Sequence, residues 1–394
     1  MLSDFNIIEN KSKIVIYGNG NVGRIIAEEL KNKGIKIVFC DKNNKIETNE
    51  NCNPSELLSI YRDSPILIGS TKFATEIYND LKKIGVSDTR IFSASSVYKK
   101  SYSDISRSTD FDEISNYFSY DRAISEISAK VNGGWFLRQL DLIITEICTL
   151  KCVSCGSLMP HYKCPKNLDE ETVIQSLENL LSTGCYISLL DIVGGEPFLN
   201  EKLMVKILDR FGRNPQIGCF VTISNGTIVP KSETVEALSR CSKAYVIFSN
   251  YGMLSTKQDE AIKTLQLGRV PCIVIKDEDI TAMNGTMWVD YGEVKKYPYS
   301  REIFQRYFND CIDAKNCTTM LNGCLYICPR IAHAMNANLM PKIPRNFVDF
   351  LSRDFNPATT KDLCQILLHP AVYPEACEYC NRGAGIKVMR AKQV

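Results

Sequence analysis

Three cysteines, Cys148, Cys152 and Cys155, close the apolar run LDLIITEICTLKCVSC, with three residues between the first pair and two between the second. Thiols presented directly after a buried strand point to metal ligation, because thiolates are the usual protein ligands of iron–sulfur clusters and frequent ligands of zinc. A 4Fe–4S cluster has four irons, so three thiolates leave one iron open to another ligand. A zinc site favours four Cys or His ligands, often as CxxC pairs, and only His161 lies near this triplet. A second motif, Gly194-Gly195-Glu196-Pro197, follows the apolar run Ile187–Val193 about forty residues later.

The elements that must position these residues alternate between strand and helix. After the strand that enters the cysteines, Asp169 is placed to cap a helix with Val173, Ile174, Leu177, Leu180 and Leu181 on one face and Gly184 at its end. Strands are expected at 187–193, 217–224, 244–249 and 270–276, with helices near 201–211, 232–241 and 256–267. Repeated βα units imply an α/β fold with a parallel sheet and right-handed crossovers. In such folds ligands meet the carboxyl ends of the strands. The cysteine triplet, GGEP, Ser224-Asn225-Gly226 and Ser249-Asn250-Tyr251-Gly252 all follow strands, so all four converge on one face.

The CxxxCxxC triplet and GGEP, in this order, resemble the radical S-adenosylmethionine (SAM) enzymes. The resemblance implies a partial (β/α)6 TIM-type barrel over 136–300 and a 4Fe–4S cluster on Cys148, Cys152 and Cys155. It also implies SAM as cofactor, with Gly194, Gly195, Glu196 and Pro197 holding its amino group. Ser224 and Asn225 resemble the ribose-contacting position, and Asn250 and Tyr251 stand where SAM or substrate would be met, although a plain polar turn explains those two as well. In that family the electron from the cluster cleaves SAM to methionine and a 5′-deoxyadenosyl radical, which takes a hydrogen atom from the substrate. One departure is Ser154, where the family usually has an aromatic residue beside adenine.

After Trp288-Val289-Asp290-Tyr291-Gly292 the βα rhythm stops, and Cys311, Cys317, Cys324, Cys328 and the pair Cys377/Cys380 follow. This arrangement, over 301–394, resembles the SPASM/twitch extensions of radical SAM enzymes. The resemblance makes Cys311, Cys317, Cys328, Cys377 and Cys380 ligands of one auxiliary 4Fe–4S cluster, with Cys324 the poorest fit. A structural zinc on four of these thiols is the alternative. A fully ligated auxiliary cluster can accept an electron, the logic of a twitch-type dehydrogenase.

At the other end, Lys13–Tyr17 reads as a buried strand running into Gly18-Asn19-Gly20-Asn21-Val22-Gly23 and a helix that ends near Gly34, followed by the strand 35–40 and Asp41. This GxGxxG turn, with an acidic residue about twenty positions on, is the dinucleotide fingerprint in its proper context. Further strands at 65–69 and 90–93 and helices at 54–61 and 71–84 complete a small Rossmann-like domain over 1–95. Its ligand stays open between NAD, a nucleotide-sugar and none, since a fold does not fix a ligand. A Ser-, Asp- and Tyr-rich stretch, 96–135, reads as a linker with room for one helix.

A chain of 394 residues exceeds one ordinary core, which agrees with several domains. A net charge of +2 without a dense Lys/Arg block argues against nucleic acid or an anionic membrane as partner. The opening MLSDFNIIENKSK lacks an apolar leader, and no run of about eighteen apolar residues suggests a span, so a cytoplasmic protein is expected. Seventeen cysteines then favour metal ligation over disulfides, while His161, His333 and His369 are too few for His-based sites. The expected activity is hydrogen abstraction from a carbohydrate or nucleotide-linked sugar, oxidising or rearranging it, with a flavodoxin or ferredoxin as electron donor. A peptide-modifying radical SAM enzyme is the alternative, and an iron–sulfur or zinc scaffold with a nucleotide-sensing domain is the non-enzymatic one.

Overall fold

The computed structural model describes residues 3–4, 13–42, 51–95, 97, 111–275 and 288–394. The chain divides into two compact units, Met1–Phe136 and Leu137–Val394.

In the first unit a six-stranded sheet is built from β1 (Ser3–Asp4), β2 (Ile14–Tyr17), β3 (Ile37–Cys40), β4 (Asn51–Cys52), β5 (Ile66–Ile68) and β6 (Ile91–Ser93), in the order β1-β6-β5-β2-β3-β4. Every pairing is parallel. Near-continuous apolar strands such as IVIY suit this arrangement, since a parallel sheet is covered on both faces. Helices α1 (Asn21–Lys31) and α2 (Ala74–Lys83) are strongly amphipathic and bury Ile26 and Leu30, and Ile77 and Leu81. The expected helix near Pro54 is a short 3-10 turn, Pro54–Leu58. Where a linker was expected, helix α3 (Phe111–Val131) packs into this unit: Tyr120 is fully buried, donating to the Ile68 carbonyl (2.8 Å) and accepting from the Ala94 amide (3.1 Å).

The second unit carries an eight-stranded sheet. The βα run supplies β7 (Trp135–Thr145), β8 (Cys185–Gly194), β9 (Ile217–Ser224), β10 (Ala244–Ser249) and β11 (Cys272–Ile275). Between them lie α4 (Glu170–Ser182), α5 (Glu201–Phe211), α6 (Ser232–Arg240) and α7 (Gln258–Leu267). Asp169 caps α4 through the Thr172 amide (2.9 Å), and Val173, Leu177, Leu180 and Leu181 are buried while Ile174 is not.

A partial barrel of six units was expected. Among the described residues the run contributes five, and the remaining parallel neighbour comes from the cysteine-rich region. There β13 (Thr318–Leu321) lies beside β7 in parallel, and the antiparallel strands β14 (Cys324–Tyr326) and β15 (Phe347–Asp349) extend the same edge. Thr318 pairs with Leu140 and Met320 with Leu142, so two stretches far apart in sequence share one core. Part of the expected sixth unit, residues 276–287, lies outside the described residues. A two-stranded antiparallel pair, β12 (Trp288–Val289) with β16 (Lys387–Val388), completes the strands described here.

Candidate active site

At the carboxyl end of β7, Thr145 is fully buried and its hydroxyl donates to Asn167 (2.7 Å) while receiving the Ile147 amide (3.1 Å). This turns the chain into the cysteine loop beside the end of β8. The Gly195 amide donates to the Thr145 carbonyl (3.0 Å) and the Glu196 amide to the Ile147 carbonyl (2.9 Å). Two glycines are required there: a Cβ on Gly194 would stand 2.4 Å from the Thr145 oxygen, and one on Gly195 2.2 Å from the Ile147 oxygen and 2.7 Å from the Cys148 Cβ. The two motifs are therefore in backbone contact.

Glu196 is fully buried. Its carboxylate accepts from the Ser224 hydroxyl (3.0 Å), the Phe198 amide (3.3 Å) and the Asn225 amide (2.8 Å), which ties the end of β9 to GGEP. Burial pushes its carboxyl up to about 7 against the pull of these donors. Pro197 opens a 3-10 turn, Pro197–Asn200, and is buried. The Asn225 amide group donates to the Thr149 hydroxyl (3.1 Å) within the cysteine loop. Asn250, in contrast, spends its side chain on its own turn, accepting from the Gly252 amide (2.8 Å).

Cys148, Cys152 and Cys155 pack around one apolar patch with Leu150, Ala391, Tyr251, Leu254 and Trp288. Two of the sulfurs receive N–H donors: Cys148 from the Leu150 amide (3.4 Å) and Cys152 from the Gln393 side chain (3.3 Å). Gln393 also accepts from the Lys151 amide (2.7 Å), and the Val153 amide donates to the Lys392 carbonyl (2.8 Å). Three soft donors in an apolar shell, with N–H groups aimed at two of the sulfurs, are the donor chemistry that the 4Fe–4S cluster implied by the resemblance would need. Among the described residues no three Cys, His, Asp or Glu side chains are set to hold one metal ion. Gln393 was not read from the sequence, since more than two hundred residues separate it from Cys152 and no local pattern marks it.

The later cysteines come from separate segments. Cys311 and Cys328 precede α9 (Ile312–Asn316) and α10 (Pro329–Asn336), and the Cys380 amide donates to the Cys377 carbonyl (3.2 Å). Burial raises the thiols of Cys328, Cys377 and Cys380, and Cys311 adds to each. Cys317 is raised by burial and then by Asp141, Asp313 and Asp191, and Cys311 adds to it as well, so it stands near both the other thiols and the sheet's carboxylates Asp141 and Asp191. Those carboxylates are a buried pair bridged by Gln139, which donates to Asp141 (2.9 Å) and Asp191 (2.8 Å). Burial pushes Asp141 up to about 7, and burial together with Asp141 pushes Asp191 up. Cys324 faces Asp349 and Tyr326 instead.

Tyr291 joins the two cysteine groups. Its ring lies against Gly156, where an added Cβ would meet it at 3.2 Å, and Arg330 and Arg382 stand over it at 5.3 and 5.8 Å. Its hydroxyl donates to Asp313 (2.8 Å), which also pairs with Arg382. Beside it a cavity of about 660 Å³ is lined by Ser154, Ser249, Ile275, Trp288, Cys311, Arg382, Lys387 and Arg390, spanning both cysteine groups. A larger cavity, about 930 Å³, lies between α8 (Arg301–Asn309) and residues 372–378, away from GGEP.

In the first unit, Gly18, Gly20 and Asp41 line a crevice at the carboxyl ends of β2, β3 and β5, and Gly23 packs against the Gly18 carbonyl.

A family described as C2185-like, N-terminal, matches residues 10–92. No curated protein matches the chain. Among solved structures it is similar to Streptococcus suis SuiB, at 14% identity and TM-score 0.31 over 55% of this chain and 47% of that one. It is also similar to native anSMEcpe with bound AdoMet, at 15% identity and TM-score 0.36 over 57% and 82%. A third is native anSMEcpe with bound AdoMet and Kp18Cys peptide, at 16% identity and TM-score 0.34 over 56% and 82%. The chain thus spans about half the length of SuiB. No helix among the described residues is long and apolar enough to cross a membrane.

Proposed function

We propose that the chain is a radical SAM enzyme, with a partial (β/α) barrel holding the reacting groups and the cysteine-rich region supplying an auxiliary cluster. The observation that carries this is the backbone contact between CxxxCxxC and GGEP, closed by glycines at 194 and 195. A 4Fe–4S cluster and SAM bound there would supply one-electron cleavage of SAM and hydrogen-atom abstraction from the substrate. Cys148, Cys152 and Cys155 hold the cluster, while Gly194–Pro197, Ser224 and Asn225 form the wall on which SAM is oriented. Leu150, Leu254, Tyr251 and Trp288 keep water from the reacting centre. Cys311, Cys328, Cys377 and Cys380, with Cys317 as the fifth candidate, would hold the auxiliary group.

The cavity between the cysteine groups carries Arg382, Lys387 and Arg390, which suits a substrate with an anionic group. A nucleotide-linked sugar and a peptide carboxylate both meet that requirement. The peptide has a counterpart in a solved structure, that of anSMEcpe, whereas the sugar rests on the N-terminal unit alone. Anaerobic reconstitution followed by assay of 5′-deoxyadenosine, with peptides and nucleotide-sugars offered in parallel, tests both levels. SAM cleavage is expected. Its absence in iron-loaded protein overturns the reading, and the substrate that stimulates cleavage decides the class.

A further inference from the structure

We infer that Arg330 is the built-in countercharge of the later cysteine group, a buried cation set to balance an anionic thiolate-held centre and to favour its reduced form. The inference rests on reading those cysteines as holders of a metal or cluster. Arg330 follows Cys328 in the first turn of α10 and is only 5% exposed. Its guanidinium donates to the Gly292 carbonyl, and its Nε is buried without a hydrogen-bond partner. Arg382, which stands over the same Tyr291 ring, pairs with Asp313, whereas Arg330 has no such carboxylate among the described residues. Buried charges are paired as a rule, because taking an ion out of water is costly unless an opposite charge meets it.

A dissolved anion does not supply that charge: Arg382, Lys387 and Arg390 line the neighbouring cavity, and Arg330 does not. Burial lowers the Arg330 pKa, and the groups that oppose it are Cys380, Tyr291, Cys328 and Cys155. Burial and Asp313 hold the Tyr291 phenol neutral, which leaves the thiols. The contacts of Tyr291 agree with this placement. Its ring meets Gly156, next to Cys155, and Arg330, next to Cys328, while its carbonyl accepts from the Asn381 amide (2.9 Å), next to Cys380. Backbone amides add to the same polarity: those of Ala314, Ile331 and Arg382 donate to the sulfurs of Cys311, Cys328 and Cys380.

A buried thiol is neutral until metal binding removes its proton, so in the metal-free chain the guanidinium stays unbalanced. Four thiolates outnumber the positive charges of Zn²⁺ or of a 4Fe–4S core. The loaded centre is therefore anionic, and a cluster gains one more negative charge on reduction. A fixed cation beside it stabilises the loaded state and, more strongly, the reduced one. Arg330 thus acts through the group the cysteines hold, as a positioning charge rather than a catalytic residue.

The test uses the full chain carrying Cys148→Ala/Cys152→Ala/Cys155→Ala, so that metal goes to the later cysteines alone. It compares Arg330→Met, which removes the charge and keeps an apolar stem, with Arg330→Lys, which keeps the charge. Zinc affinity, read by competition with a chromogenic chelator, is expected to fall about ten-fold or more in Arg330→Met. The reduction potential of the iron-loaded form should drop by about 59 mV or more, the same factor for a one-electron couple. Arg330→Lys should keep most of both. The metal-free Arg330→Met chain should melt no lower than its parent, because an unbalanced buried charge has given way to apolar surface. Affinity and potential unmoved in Arg330→Met, equal losses in Arg330→Lys, or a clear fall in the metal-free melting temperature would each overturn the inference and leave the metal-holding reading standing. Neither zinc nor iron on the later cysteines would overturn both.

Discussion

The two cysteine groups of the second unit are constructed in opposite ways. Cys148, Cys152 and Cys155 sit in one loop at the end of one strand, and the adjoining motif grips that loop through backbone hydrogen bonds. Cys311, Cys328 and the pair Cys377/Cys380 come from three segments, with β13, β14, α10 and β15 between them in the chain. A local site depends on its own turn, whereas an assembled one depends on the packing of everything between its ligands. The difference predicts which substitutions damage one group and spare the other.

The largest effect is expected from Gly195→Ala. The added methyl would lie 2.2 Å from the Ile147 oxygen and 2.7 Å from the Cys148 Cβ, so the motifs must part. SAM binding by calorimetry should fall about a hundred-fold or more, the equivalent of roughly 3 kcal/mol, while iron on the later cysteines remains. Retained affinity would break the proposed coupling.

Next is a paired test of the assembled group. Cys328→Ala should remove its metal by iron and zinc analysis and leave the SAM-perturbed EPR signal of the first group. Cys317→Ala should cost less metal than Cys328→Ala, because the carboxylates of Asp141, Asp313 and Asp191 outweigh Cys311 around Cys317. Equal loss in both variants would return Cys317 to the ligand set.

A joint between the regions gives a pH prediction. Tyr162, beyond the cysteine loop, hydrogen-bonds His333 of α10 (2.7 Å), and Asn336 donates to Tyr162 (3.1 Å) and to Glu146 (2.7 Å). Burial lowers the His333 pKa to about 3. The unfolded chain takes that proton near 6.5 and the folded one does not, so the stabilisation is fully present above pH 6.5. It is lost as pH falls toward 3, at about 1.4 kcal/mol per pH unit from this group. Urea unfolding of wild type against His333→Gln should show this slope in the wild type alone.

The smallest effect is expected at Gln393. Replacing it by Leu removes one N–H donor to Cys152 sulfur, worth about 1 kcal/mol. For a one-electron couple that corresponds to a potential lower by about 40 mV in a redox titration of the first cluster. An unchanged potential would show that this contact does not tune it.

Legibility in the sequence follows the same division. Strand-to-loop placement of the triplet, GGEP and Ser224-Asn225 was readable because periodicity and glycine act within a few residues. The Asp169 cap and the crevice glycines were readable for the same reason. The attachment of β13 beside β7, the Tyr291 clamp between Arg330 and Arg382, the Gln139-bridged carboxyl pair and Gln393 were not. Each depends on partners far apart along the chain, and a Gln or Asp carries no sign of which distant group it will meet. One helix was allowed for in the expected linker, but the packing of α3 into the first unit was not legible because its apolar periodicity is weak, although Tyr120 anchors it firmly.

The most direct test is anaerobic iron and sulfide analysis with EPR of the reduced protein, with and without SAM, on wild type and on Cys148→Ala/Cys152→Ala/Cys155→Ala. The account predicts about eight irons in wild type and about four in the variant, from two four-iron clusters. SAM should perturb the wild-type signal, and that response should vanish in the variant while a residual cluster signal persists. A wild-type protein that binds iron yet shows no SAM-sensitive signal would contradict the central claim.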